Sequence, residues 1–311
     1  MPVAKVYLEY PMRRYGMDQD FYDWSILFRR PKVKWPNGAR VALWITTELE
    51  FFPLDQPAKP FKAPGGMVTP YPDLRHYTTR DYGNRVGIQR IWRVLDKYKL
   101  KSSVAMNSKV AERYPYLVRK INERGDEIIA MGVDQGKLHY GGMDDALEAA
   151  LVAESVTTLR RLSGQPVTGW MSPAKSESWN TLKHLKANGI EYVCDWVADD
   201  MPFELRAPDN AGRLWAMPHT SEIYDRKIII DNKHNEDEFV EQIKDQFNVL
   251  SKEAGKHGGR IMSIALVPYI MGLHYRIKYL DQALGWLMKQ KHVWPATGAE
   301  ILAAFKADQA R

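Results

Sequence analysis

VALWITTELEFF, residues 41–52, begins as an unbroken β-prone run and ends among acidic residues. Its first part, VALWITT, reads as a strand covered on both faces, the condition of a parallel sheet rather than of a solvent-facing hairpin. Glu48 and Glu50 stand two apart, so on an extended chain their side chains share a face. In parallel α/β folds chemistry sits at the C-terminal ends of the strands, where these acids fall.

Outward from this strand the pattern repeats. A long Pro/Gly-rich loop is expected over 52–80. In NRVGIQRIWRVLDKYKL, Val86, Ile88, Ile91, Trp92 and Leu95 fall at helical spacing and make one apolar face. SSVAMN reads as a strand, VAERYPYLVRKINERG as a helix ending on Gly125, and DEIIAM as another strand. MDDALEAALVAESVTTLRRLSG has an acidic first turn, a basic last turn and a glycine stop, as the helix dipole favours. Then come strand PVTGWMS, helix ESWNTLKHLKANG, strands EYVCDW and RLWAMPH, helix EDEFVEQIKDQFNVLSKEAG, strand RIMSIALVPYI, and helices IKYLDQALGWLMKQ and GAEILAAFKA. Alternation with few hairpin signals predicts an α/β fold with a mostly parallel sheet. About seven β/α units without an internal linker predict a distorted (β/α)7 barrel over residues 38–311. Residues 1–37, rich in aromatics, Arg and Pro, read as an arm packed on that body.

The 311 residues, 45% hydrophobic and 26% charged, have the composition of a globular domain. The net charge of +6 is scattered, and its densest groups, FRRPKVKW and RKINER, are short. A nucleic-acid partner is therefore not expected, and a small-molecule substrate, possibly anionic, is the better use of the surplus. The single cysteine, Cys194, excludes an intramolecular disulfide and reads as a buried, inert thiol in YVCDW. No run approaches the ~18 apolar residues of a membrane span, and MPVAKVYLEYPMRR lacks a signal-peptide core, so a cytoplasmic protein without a membrane partner is expected. The aromatic arm and the 10 tryptophans suggest a homo-oligomer.

The strand ends carry TTELEFF, MGVDQGKLH, GWMSPAKSES, CDWVADD and LVPYIMGLH. With NGARVALWITTELEFFPLD, RDYGNRVGIQRI, GDEIIAMG, YVCDWVADDMP and SIALVPYIMG, their succession resembles the polysaccharide deacetylase superfamily, in particular its allantoinase-like, cyclic-amide-hydrolase branch. The resemblance covers about residues 36–301. It implies a distorted barrel and, in metal-dependent members, a base, an acidic metal ligand, two histidine ligands, a positioning arginine and an acid histidine. Carried over, the base position falls on Glu50, the acidic ligand on Phe51, the histidines on Met131 and Gln135, the arginine on Met171 and the acid histidine on Val267. Phe and Met offer a divalent ion neither an anion nor a basic nitrogen. No metal and no other cofactor is expected.

What remains is a set of polar candidates. Glu48 and Glu50 near apolar Phe51, Met131, Met171 and Val267 should not both ionise easily, which suits a proton shuttle. One of them could instead pair with Lys175 or Arg85. Asp134 and His139 follow Met131, with His139 a candidate acid or base. Lys175 is a candidate anchor for an anion. Asp195 and Trp196 end a strand, and Tyr269 and His274 lie past the last one, where either could close the site. The expected function is metal-independent hydrolysis of a C–N bond in a small amide, ureide or cyclic imide. An isomerase or lactone-opening enzyme using a protonated carboxyl, or a catalytically silent ligand-binding relative, are the alternatives.

Overall fold

The computed structural model describes residues 19–57, 59–66, 72, 74–219 and 221–310. The part of the expected arm before Gln19 lies outside them. Strand β1 (Val41–Leu49) is buried along its whole length. Its parity divides the core. Val41, Leu43, Ile45 and Leu49 point outward onto the helices, where they meet Ile88, Ile91, Trp92 and Leu95. Ala42 and Trp44 point inward, to Met131, Met171, Tyr192 and Cys194. A large apolar side chain as fully buried as Trp44 contributes about 1.5–3 kcal/mol each, so this two-sided burial dominates the stability of the sheet.

Six further parallel strands join β1: β2 (Ser103–Met106), β3 (Glu127–Ala130), β4 (Gly169–Trp170), β5 (Tyr192–Val193), β7 (Gly212–Ala216) and β8 (Arg260–Leu266). With β6 (Phe203–Ala207), the order across the sheet is β6-β7-β5-β4-β3-β2-β1-β8, and β9 (Val293–Pro295) pairs beside the start of β1. Leaving aside β9, which also runs parallel to β1, the seven parallel strands are the expected barrel units. The antiparallel β6–β7 pair is a hairpin that the sequence reading lacks. Its turn at Pro208–Asn210 uses left-handed Asp209 and Asn210, a β-hairpin signal hidden among residues read as loop.

The sheet curls until its edges approach. A parallel bridge between Tyr224 and Ala265 ties the segment after β7 to the end of β8, at the C-terminal rim. Towards the start of β8 the seam between β8 and the β6–β7 hairpin stays open.

Three local expectations change. A helix, Leu74–Tyr82, begins inside the expected loop. It runs through a π-helical turn, Gly83–Gly87, into helix Ile88–Lys97, and the turn leaves Val86 exposed rather than on the apolar face. Pro115 splits the next expected helix into Ser108–Arg113 and Pro115–Arg124. By contrast, helix Asp145–Ser163 starts on an Asp144 cap and stops on left-handed Gly164, as read. Among the described residues no helix is long and apolar enough to cross a membrane. Cys194 is fully buried, and burial pushes its thiol well up, which keeps it protonated and unreactive.

Candidate functional site

Period-two geometry sends Thr46, Glu48 and Glu50 of the β1 end into the barrel mouth. There Glu48 and Glu50 line a cavity of about 160 Å³ with Pro64, Met131, Gln135, Met171, Ser172, Ala174, Lys175, Ser221, Tyr224, Arg226, Lys227 and Asp231. Both glutamates are buried. Arg226 Nη2 donates to Glu50 Oε2 at 3.1 Å, with both side chains nearly sealed from solvent. The same guanidinium donates from Nε to the Tyr224 hydroxyl at 3.2 Å, and from Nη2 to the Tyr269 hydroxyl. Tyr224 in turn donates to Glu48 Oε2 at 2.8 Å. Glu48 Oε1 is buried and has no hydrogen-bond partner among the described residues, an acceptor left for something in the cavity.

The neighbouring segment Ser172–Lys175 forms another wall. Ala174 and Lys175 both adopt left-handed backbone, at φ 58° and 52°, and this turn directs the Lys175 side chain inward. Its Nζ lies 3.2 Å from His219 Nδ1 and 5.4 Å from the centroid of the Tyr224 ring. The other ring nitrogen, His219 Nε2, is 2.7 Å from Thr46 Oγ1. Burial, and then the Lys175 charge, hold His219 well below the usual histidine range, so it is neutral. An ammonium donating to Nδ1 leaves the ring proton on Nε2, facing Thr46.

Burial pushes the Glu50 carboxyl up to about 7. Arg226 opposes that rise and the Glu48 charge adds to it. A carboxyl so placed is half ionised near neutral pH, the condition for a group that takes and returns a proton. Above it sits the loop carrying Gly65. A Cβ there would fall 2.6 Å from both Arg226 Nη1 and the Tyr269 hydroxyl, and φ is +82°, so only glycine lets the loop close over the guanidinium.

Of the residues singled out from sequence, Glu48, Glu50, Met131, Met171 and Lys175 line this cavity. Tyr269 stands behind it, bonded to Arg226. Asp195 also acts at one remove. Both its oxygens accept from the Ser172 amide, at 3.1 and 2.9 Å, bracing the turn that carries Lys175. Burial raises Asp195 to about 6. Trp196 donates to Glu177 Oε2 at 2.9 Å and packs on Phe21 of the arm.

The remaining candidates lie elsewhere. Phe51 faces the outer core, its ring under the Arg113 guanidinium, because it is one residue out of phase with Glu50. Asp134 accepts from the Gly136 amide at 2.8 Å and shapes its own turn. His139 is buried with Nδ1 3.0 Å from Glu148 Oε1, beneath a helix rather than at the cavity. Val267 belongs to the outer core, its amide donating to Asp225 at 2.9 Å. His274 is exposed beside Tyr275. The glutamate partner is also neither Lys175 nor Arg85 but Arg226.

Sequence reasoning missed Arg226, Tyr224 and His219. The available signal was SEIYDRKIII, an apolar stretch carrying Tyr-Asp-Arg. A charged group inside an apolar run needs a buried partner.

The superfamily's divalent metal does not fit these residues. The positions that the resemblance assigns to its ligands hold a phenyl ring turned away from the cavity, a thioether and a carboxamide, at Phe51, Met131 and Gln135. A cation beside Glu50 would also lie against the fixed charge of Arg226. Among the described residues, a cluster of candidate ligand atoms occurs at Asp145, Glu148 and His184, outside the cavity. Its atoms already bond one another and their neighbours, with His184 Nε2 2.8 Å from Asp145 Oδ1.

Comparison with known proteins agrees with this architecture. Residues 70–193 match the family model described as polysaccharide deacetylase. A Schizosaccharomyces pombe protein described as "Putative polysaccharide deacetylase" is 25% identical over 300 residues, covering 88% of this chain and 92% of that protein. Among solved structures, the Puue allantoinase superposes with a TM-score of 0.79 at 23% identity, covering 91% of this chain and 96% of its own. A "probable Polysaccharide deacetylase" from Pseudomonas aeruginosa PAO1 gives 0.79 at 22% identity, covering 92% and 99%. At these identities the two structures establish the shared fold.

Proposed function

We propose that this chain, similar to polysaccharide deacetylases over residues 70–193, hydrolyses a C–N bond of a small amide, ureide or cyclic imide with Glu50 as the base and without a metal. Deacetylases and allantoinase, the relatives named above, are hydrolases of C–N bonds. The observation that carries the reading is the meeting of Glu50, Arg226 and Lys175 around one cavity of about 160 Å³. That volume suits a compact ring or ureide better than a sugar polymer.

Ionised Glu50 takes a proton from water, and the hydroxide so formed adds to the substrate carbonyl carbon. The oxygen that becomes negative is stabilised by Lys175 and Arg226, fixed cations in a largely dry site, which supply the electrophilic help that a metal gives elsewhere. When the tetrahedral carbon collapses, the C–N bond breaks and protonated Glu50 returns its proton to the departing nitrogen. One water is consumed, and Glu50 ends as it began. Lys175 and Lys227 offer a cation to a negative group on the substrate, on a lining that also carries Glu48, Glu50, Asp231 and the Glu50-paired Arg226.

The test is turnover by chelator-treated protein on a panel of cyclic amides, imides, ureides and lactones, with Glu50→Gln alongside. Hydrolysis lost in the variant supports the reading, and unchanged turnover removes Glu50 from it. A product of unaltered mass would replace hydrolysis with isomerisation.

A further inference from the structure

We propose that Glu48 Oε1 accepts a hydrogen bond from an N–H of the substrate, so that this site takes lactam-like rings, imides and ureides and rejects the lactones that share their shape. This rests on the hydrolase reading of the cavity and narrows it. Glu48 is none of the positions that the superfamily resemblance assigns to base, metal ligand, arginine or acid.

Glu48 is held so that one oxygen is engaged and the other is not. Arg226 Nε can only donate, so in its 3.2 Å contact the Tyr224 oxygen is the acceptor. The single hydroxyl proton of Tyr224 then goes to Glu48 Oε2, at 2.8 Å. Arg226 is itself fixed by Glu50, and the three contacts make one arc, Glu50–Arg226–Tyr224–Glu48, along the cavity wall. Pinning Oε2 restricts where Oε1 can turn, and Oε1 is buried and meets no donor among the described residues. The negative charge that Glu48 exerts on Glu50 makes Oε1 an acceptor rather than a hydroxyl. A buried carboxylate oxygen without a donor is costly, and a ligand that brings a donor removes that cost.

The neighbouring cation decides which donor fits. Lys175 Nζ lies 5.4 Å from the centroid of the Tyr224 ring, whose hydroxyl holds Glu48, so the ammonium and the unengaged oxygen flank one side chain. Among the described residues Lys175 makes no ion pair; its partner is neutral His219, at 3.2 Å, and its charge is left for a ligand. The edge of a cis amide, as in a lactam, a cyclic imide or a ureide ring, carries a carbonyl oxygen and an N–H side by side. The first is an acceptor for the ammonium and the second a donor for the carboxylate. A lactone puts a ring oxygen where the N–H stands, and two oxygens without a proton between them then face each other in a dry site. The Glu48 contact lies in the amide plane, so the out-of-plane lone pair of the nitrogen stays open to the proton that Glu50 returns.

2-Pyrrolidinone and γ-butyrolactone, rings of one size that differ by N–H against O, test this in ligand-observed NMR titrations, which also reveal any ring opening. Wild type should bind the lactam about 10–100-fold more tightly than the lactone. In Glu48→Gln the carboxamide oxygen still takes the Tyr224 proton and an NH2 replaces Oε1, so the preference should vanish or reverse. A general loosening of the site would weaken both rings alike and leave their ratio in place. Equal affinities in wild type, or a lactam preference that survives unchanged in Glu48→Gln, overturn the proposal even if the lactam is hydrolysed. Failure of wild type to bind the lactam at millimolar concentration overturns it too. Where the variant does not fold, the wild-type ratio alone decides. A lactam preference lost in the variant, with no ring opened by either protein, supports the contact and strikes the hydrolase reading instead.

Discussion

Arg226 and Glu50, 176 residues apart in the chain, meet with Nη2 and Oε2 3.1 Å apart at the bottom of the barrel mouth. The pair sets how the site responds to pH. Burial favours the neutral carboxyl, the guanidinium favours the ionised one, and the outcome is a group that titrates at about 7.

Activity should therefore rise with pH. Glu50 works as a base only when ionised, and its carboxyl is raised from the ordinary 4.5 to about 7, so kcat/KM should climb tenfold per pH unit below 7 and level off above it. Initial rates between pH 5 and 9 check this. An ascending limb centred near 4.5 would mean that Glu50 is not the titrating base.

Removing the guanidinium should move that limb. Arg226→Met leaves burial and Glu48 opposed only by the smaller effects of Arg80 and Tyr269, so the ascending limb should shift to higher pH. The plateau should fall by about 10²–10³ as the oxyanion loses a fixed charge. A pH–rate profile of the variant separates the two effects, since loss of positioning alone lowers the plateau without moving the limb.

Metal should be dispensable. Protein purified without added metal, dialysed against chelator and assayed in its presence, should keep its full rate, and zinc or cobalt should not increase it. Elemental analysis showing one tightly held divalent ion per chain, with activity tracking its content, would reverse this expectation.

Lys175 should matter more to the transition state than to binding of neutral substrates. Lys175→Met should lower kcat by about 10²-fold with a small change in KM, and Lys175→Arg should recover part of the loss. For anionic substrates KM should rise as well. The KM-against-kcat comparison across neutral and anionic members of one series reads the distinction.

The buried His139–Glu148 pair should act on stability rather than turnover. Burial works to raise the Glu148 carboxyl, but His139, Ser178 and Thr181 outweigh it and hold it below its ordinary 4.5. A lowered carboxyl contributes stability that is present above 4.5 and is lost as pH falls through the folded-state value. Glu148→Gln should cost about 1–3 kcal/mol at neutral pH and flatten the acid limb of a melting-temperature profile.

Much of this arrangement could be read from residue order. VALWITT states a doubly covered strand, and the alternation after it states the barrel. The period of two that puts Glu48 and Glu50 on one face also puts Phe51 on the other, a consequence already present in TTELEFF. Arg226 and Tyr224 were hidden for a physical reason, whereas His219 ended a strand that was read, RLWAMPH, and was passed over there. The segment of Arg226 and Tyr224 has neither helical nor strand periodicity, being one isolated bridge followed by a π turn, Arg226–Asp231. His139 was hidden differently, since a histidine after a strand looks the same in sequence whether it faces the cavity or turns towards Glu148, nine residues on.

The lone bridge from Tyr224 to Ala265 has an architectural effect. It lets the cation opposite Glu50 arrive on a graft laid across the gap between edge strands, independent of the register of the main sheet. Such a graft can change length or sequence without shifting any strand of the barrel. The electrostatic character of the mouth can thus be rewritten by one short segment, while the scaffold that aims Glu50 stays in place.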